Sequence, residues 1–153
     1  GAELEREYIK DMRPTPIDSQ FTLDYFNQLI DELVPKKKRS VKSLLTQEQL
    51  IPGLGNAIAQ DILFKSGLHP RHSIIDLDPE QRSHLFVEIK ETIRQIIDLG
   101  GRYDEFDLYG QKGDYIRLMD QNALQHPCPG CGGEIQKIQY LGGACYLCPE
   151  CQT

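Results

Sequence analysis

The chain has 153 residues, 39% hydrophobic and 26% charged, with no Trp and a formal net charge of −6. That length suits one ordinary domain or two small ones with a modest core. No run reaches the roughly 18 apolar residues of a membrane span, and the opening GAELEREYIKDM is too charged for a secretory leader, so the expected location is cytoplasmic, with no membrane partner. The acidic total argues against a polyanionic partner, but the charge is unevenly placed. Residues 34–75 hold seven Lys/Arg (Lys36, Lys37, Lys38, Arg39, Lys42, Lys65, Arg71) and two acids (Glu48, Asp61), a net of +5 that leaves −11 for the rest. Screening confines each field to about 10 Å at 0.1 M salt, so the local balance decides what such an island attracts. A solvated lysine loop is the plain alternative.

In chain order, residues 3–12 have a weak helical pattern, and Arg13-Pro-Thr-Pro-Ile17 is predicted extended because each Pro biases its predecessor away from helix. A helix then starts at the cap Thr22, with Phe21 and Phe26 as a hydrophobic staple. Phe26, Leu29, Ile30 and Leu33 form its apolar stripe and Pro35 stops it. After the basic loop Lys36–Arg39, residues 40–50 read as a short helix with Val41, Leu44 and Leu45 inward. Ile51-Pro-Gly-Leu-Gly-Asn56 is a tight turn, with Asn56 as the expected cap of a helix over about 57–66 that Gly67 ends. The clearest helix runs from Pro79 to Leu99: Asp78 caps it, Gln81 completes a capping box, Gly100-Gly101 end it, and Leu85, Phe86, Ile89, Ile93, Ile96 and Ile97 make its buried face. Residues 102–126 are acidic and irregular, with turns at Gly110 and Gly113; a Gly- and Cys-rich module with strand-like pieces at 134–141 and 144–147 follows.

Two features carry chemistry. All five cysteines lie in the last 26 residues, and four form two CxxC knuckles, Cys128/Cys131 and Cys148/Cys151, sixteen residues apart. A disulfide scaffold would spread its cysteines, whereas this spacing is that of a structural zinc ribbon, in which four thiolates close a tetrahedron and leave no open position. One structural Zn²⁺ is therefore expected, with a rubredoxin-like iron site as the rival and Cys145 as a small side chain facing the hairpin interior. The second feature is Pro52-Gly53-Leu54-Gly55-Asn56 leading into a helix. Glycines let backbone amides approach a ligand, and a helix start presents unpaired N–H groups to an anion. With Lys42 and Lys36–Arg39 near in sequence, this is the chemistry of a nucleic-acid backbone clamp, though a glycine-bounded pair before a helix is also compatible with a plain turn.

The stretch Val41-Lys-Ser-Leu-Leu-Thr-Gln-Glu-Gln-Leu-Ile-Pro-Gly-Leu-Gly-Asn56, continuing to Leu63-Phe-Lys-Ser-Gly-Leu-His-Pro70, resembles the helix–two-turns–helix motif of the formamidopyrimidine-DNA glycosylase/endonuclease VIII family. The closing Cys-Pro-x-Cys-Gly and Cys-Pro-x-Cys-Gln152 resemble that family's zinc finger, and Arg13–Ile17 its interdomain linker, so the likeness covers nearly everything from about residue 13. The resemblance implies that Asn56 contacts phosphate beside a lesion, that Lys42 supports DNA binding, and that the finger is a β-hairpin entering the minor groove. It also implies a parent enzyme that removes oxidised bases through an N-terminal proline nucleophile and nicks the abasic strand. This chain begins Gly1-Ala2-Glu3, so a cut-out fragment without that catalytic domain, and without catalytic residues, is expected. The family's finger arginine has Gly143 in its place, Ile58 stands where Tyr is usual, and Gln47 where an acid is common. Residues 126–153 hold one basic residue, Lys137, against Glu134 and Glu150, a weak charge for gripping a polyanion.

The expected fold is mainly α, a helical bundle containing a helix–two-turns–helix motif followed by a small zinc-binding β-hairpin. The segments are a linker over 1–20, a DNA-binding domain over 21–125 and a zinc finger over 126–153. The expected partner is damaged or abasic double-stranded DNA, contacted by Lys36, Lys37, Lys38, Arg39, Lys42, Gly53, Gly55 and Asn56, with the chain a monomer. The rival reading is a zinc-stabilised protein-interaction module with little DNA affinity. The sequence does not fix which lesion the parent prefers.

Overall fold

The structure, a computed structural model, describes residues 13–99 and 118–153. Within them lie four α-helices and one two-stranded antiparallel sheet, so the architecture is mixed and not helical alone. Helix α1 spans Leu23–Leu33, α2 Val41–Thr46, α3 Asn56–Ser66 and α4 Pro79–Asp98; β1 spans Gln136–Tyr140 and β2 Gly143–Leu147. The helical pattern at 3–12, the end at Gly100-Gly101 and the turns at Gly110 and Gly113 lie outside the described residues.

The punctuation works as the residue types dictate. Thr22 accepts from the Tyr25 amide at the start of α1, and Asp78 and Gln81 form the reciprocal capping box of α4. Gly67, at φ 69°, takes the left-handed position that closes α3. Phe21 and Phe26 lie 6.1 Å apart between ring centres, and Phe86 stacks on Phe21 at 5.6 Å. Leu85, Ile89, Ile93 and Ile96 of α4 are buried as the stripe predicts, whereas Phe86 is half-buried and Ile97 is exposed at the rim. One apolar cluster, drawn wholly from residues 21–96, joins all four helices.

The expected helix over 40–50 ends at Thr46. Gln47 is extended, and Glu48 and Gln49 both adopt left-handed backbone, at φ 58° and 54°. Two successive non-glycine residues there cost on the order of 1–3 kcal/mol each. The bend turns Leu50 and Ile51 into the core and holds Glu48 against Lys37 and Arg39, 3.0 and 2.8 Å away. The two turns between α2 and α3 are thus this reversal and the Pro52–Gly55 turn, where Gly53 has φ 91°. No described helix is long and apolar enough to cross a membrane.

The sheet is a hairpin pairing Gln136 with Leu147 through Tyr140 with Gly143, turned by Leu141 and Gly142. It packs with α3 and with a small second cluster of Met119, Cys128, Ile135 and Cys148, onto which Phe64 of α3 folds.

Candidate nucleic-acid interface and metal centre

The start of α3 differs from that of the other helices. Thr22, Ser40 and Asp78 cap α1, α2 and α4 with side-chain oxygens, but the cap of α3 is Gly55, with no side-chain cap and no acid in the first turn. Asn56, expected as the cap, is the first helical residue. The amides of this first turn therefore lack a side-chain partner at an end that carries partial positive charge. A Cβ at Gly55 would meet nothing within 4 Å, so the space in front is open. Gly53 is exposed and Asn56 half-buried, so the turn remains at the surface.

The hairpin is tied to this helix by side-chain amides. Asn56 Nδ2 donates to Ala144 O at 3.3 Å, and Gln60 takes both hairpin directions, donating to Ala144 O at 3.0 Å and accepting from Tyr146 N at 2.7 Å. Gly143 makes the approach possible: a Cβ there would lie 3.2 Å from Asn56 Nδ2. Lys42 is only 2% exposed; its Nζ donates to Tyr140 O and lies 5.8 Å from the centre of that ring. The lysine thus sits beneath the hairpin tip. The Arg71 guanidinium lies 5.0 Å from the same ring centre.

The remaining candidates lie along Lys36–Arg39. Lys36 and Lys38 are exposed. Lys37 and Arg39 share Glu48, and the Arg39 bond, then the Lys37 bond, hold the Glu48 carboxyl below its ordinary value. Ser40 pairs with Ser73 in an isolated bridge, and Lys42 N donates to Pro70 O at 3.2 Å, so the basic segment runs against the loop that carries Arg71. His69 in that loop is held below its ordinary pKa by burial first, and then by Arg71 and His72.

The four predicted ligand cysteines converge. Their sulfurs all lie within 4.8 Å of one another, with Cys128 to Cys151 at 3.8 Å and Cys131 to Cys148 at 3.5 Å. Four thiolates about 2.3 Å from one tetrahedral ion would stand about 3.8 Å apart, so the set fits a metal ion. The Gly130 and Gly133 amides donate to Cys128 Sγ and Cys131 Sγ at 3.3 and 3.4 Å. Burial pushes the Cys128 thiol up, but amides of Cys131 and Gly130 and the neighbouring thiols outweigh it and bring it down to about 7. The adjacent Cys131, then burial and the other thiols, push Cys151 up to about 12. Crowded thiols resist ionising together, and a divalent cation removes that conflict. Cys145 is buried in the hairpin, apart from the cluster, as expected.

Gln60, Asp61, Arg71 and Tyr140 were not singled out as site residues from sequence. Asp61 is fully buried and accepts from the Leu118 and Met119 amides at 2.9 to 3.1 Å, anchoring the chain where it enters the cysteine module. A charged residue on the inward face of an otherwise apolar helix was the available signal for it.

Fold and site together define a helix–two-turns–helix unit braced by a four-cysteine hairpin. Residues 12–106 match the family described as "Formamidopyrimidine-DNA glycosylase H2TH domain", and the chain belongs to this family of DNA-repair glycosylases. It is 30% identical over 155 residues to the formamidopyrimidine-DNA glycosylase of Bacillus licheniformis, covering 99% of this chain and 55% of that protein. It is 34% identical to the same-named protein of Desulforamulus reducens, covering 94% and 52%. Among solved structures it is similar to Lactococcus lactis Fpg in complex with DNA containing an abasic site, with TM-score 0.74, 28% identity and coverage of 99% and 54%. The MutM (Fpg) protein of Thermus thermophilus shares the fold at TM-score 0.77 and 24% identity, with coverage of 99% and 57%. The chain thus spans about half the length of the relatives it matches.

Proposed function

We propose that this chain is the DNA-gripping C-terminal region of a base-excision glycosylase and abasic-site lyase. In this reading it holds damaged or abasic duplex by the phosphate backbone, and base removal requires the part of the enzyme beyond this half-length match. The observation that carries the reading is the uncapped N-terminus of α3, open in front of Gly55 and bordered by the side-chain amide of Asn56. Amides at a helix start bind phosphate without reading sequence, which suits an enzyme that must hold any sequence around a lesion. Lys42 then acts from beneath, fixing the hairpin tip, while Lys36 and Lys38 add long-range attraction.

Cys128, Cys131, Cys148 and Cys151 would hold one Zn²⁺, whose contribution is to close the module and balance thiolate charge. The relatives' names support the DNA-repair assignment, and the Lactococcus complex with abasic DNA supports the partner class.

Binding of the 153-residue chain to duplex carrying a tetrahydrofuran abasic site, at low and moderate salt, tests the reading. Asn56→Asp, which puts a carboxylate at the proposed phosphate, is expected to weaken binding roughly tenfold or more. Unchanged affinity in that variant would remove the clamp and favour the interaction-module reading, which the sparse positive charge of the hairpin supports.

A further inference from the structure

Resting on the backbone-clamp reading, we infer that Arg71 is a second phosphate-contacting residue of this protein, held ready at the hairpin tip by the Tyr140 ring. The tip carries little charge of its own. Its turn is Leu141-Gly142, Gly143 has no side chain, and Lys137, the one basic residue of the hairpin, lies 6.0 Å from the Tyr146 ring centre at its other end. Lys42 is at the tip but buried, with its ammonium on Tyr140 O. Arg71 is exposed, and among the described residues its guanidinium has no carboxylate partner.

Three contacts give this arginine a defined position. Its own amide donates to His69 Nδ1 at 3.0 Å, and the preceding Pro70 O accepts from Lys42 N, which fixes the loop on α2. The guanidinium then lies over Tyr140, whose backbone carbonyl accepts from the Lys42 ammonium. A guanidinium over a ring face keeps the donors on its rim, the fork that matches two phosphate oxygens. Ring support also limits the side-chain freedom that binding would otherwise remove.

Position gives the partner. Tyr140 pairs across the hairpin with Gly143, and Gly143 touches Asn56 at the start of α3. Arg71 and the uncapped helix start therefore flank one two-residue turn, from opposite strands. A single nucleic-acid backbone crossing that turn meets the helix amides on one side and the guanidinium on the other. The ligand is a phosphodiester, and its contact with Arg71 does not depend on the base.

The test compares the full chain with Arg71→Ala, Tyr140→Leu and, as a charge control on α4, Arg94→Ala. The readout is affinity for abasic duplex across a salt series, with thermal melting to confirm folding. Arg71→Ala is expected to bind roughly tenfold more weakly at low salt and to lower the slope of log K against log salt by about one, while Arg94→Ala leaves the slope unchanged. Tyr140→Leu should weaken binding while retaining the slope, because the charge remains and only its support is lost. Equal slopes for wild type and Arg71→Ala, or equal effects of Arg71→Ala and Arg94→Ala, would overturn the role of Arg71 while leaving the clamp at α3 intact. A wild-type chain without salt-dependent binding would instead overturn the clamp itself, and this inference with it.

Discussion

Glu48 holds Lys37 and Arg39 with one carboxylate, and those two basic residues are part of the island over 34–75 that nets +5. Among the described residues Glu48 is the one acid paired there, so Glu48→Gln frees the exposed Lys37 and leaves the buried Arg39 guanidinium without its carboxylate. Because Arg39 is buried, the change should lower the melting temperature modestly, while the freed Lys37 strengthens DNA binding about two- to fivefold at low salt. Fluorescence anisotropy on an abasic duplex measures it. The pH dependence follows from the lowered pKa of Glu48. A depressed carboxyl favours the folded ion pair above its ordinary value of 4.5, and that contribution disappears as pH falls through the lower folded value. Around neutral pH the pairing is complete, so the gain in affinity for Glu48→Gln should be flat from pH 6 to 8.

At the scale of the element, the start of α3 sets stability against binding. Gly55 sits at φ −88° and ψ 170°, a conformation open to any residue, with free space at its Cβ. Gly55→Asp is therefore expected to cap α3 and raise stability by about 0.5–1 kcal/mol in urea unfolding. The same carboxylate should occupy the anion position and reduce DNA affinity at least tenfold. A variant that is stabilised and still binds normally would place the phosphate elsewhere.

Much of this element was legible because its signals are local. Gly67 ends α3, Thr22 and Asp78 open their helices, and two CxxC knuckles announce the cysteine cluster. Asn56 was misplaced by one position, because a glycine at the cap leaves no side-chain signal and the next polar residue attracts the assignment. The end of α2 was missed because Gln47-Glu48-Gln49 contains no glycine or proline; its left-handed backbone is imposed by burial of Leu50 and Ile51 and by the ion pairs of Glu48. The roles of Gln60, Arg71 and Tyr140 depend on pairs 69 to 86 residues apart, which helical or strand periodicity cannot report. Lys42 was identified as important from sequence, but its burial beneath Tyr140 is a tertiary fact.

At the scale of the molecule, the described residues form two packing centres of different kinds. The larger apolar cluster comes entirely from residues 21–96, whereas the module around the cysteines has four buried members and relies on sulfur convergence. Removing metal with a strong chelator is therefore expected to unfold the hairpin first and leave the helical core intact. Hydrogen exchange should show loss of protection over 136–147 with retention in α1 and α4, and added Zn²⁺ should restore the hairpin at one equivalent per chain. Simultaneous collapse of both regions, or a hairpin that stays protected in chelator, would contradict that division.

The last residues join these centres. Thr153 N donates to Gly67 O, Thr153 O receives the His69 amide, and Gln152 bridges Cys148 N and Leu68 O. The knuckle bearing Cys148 and Cys151 is therefore stitched to the loop that ends in Arg71. Gln152→Ala, which removes the side chain held by both Cys148 N and Leu68 O, should therefore loosen the knuckle and that loop together.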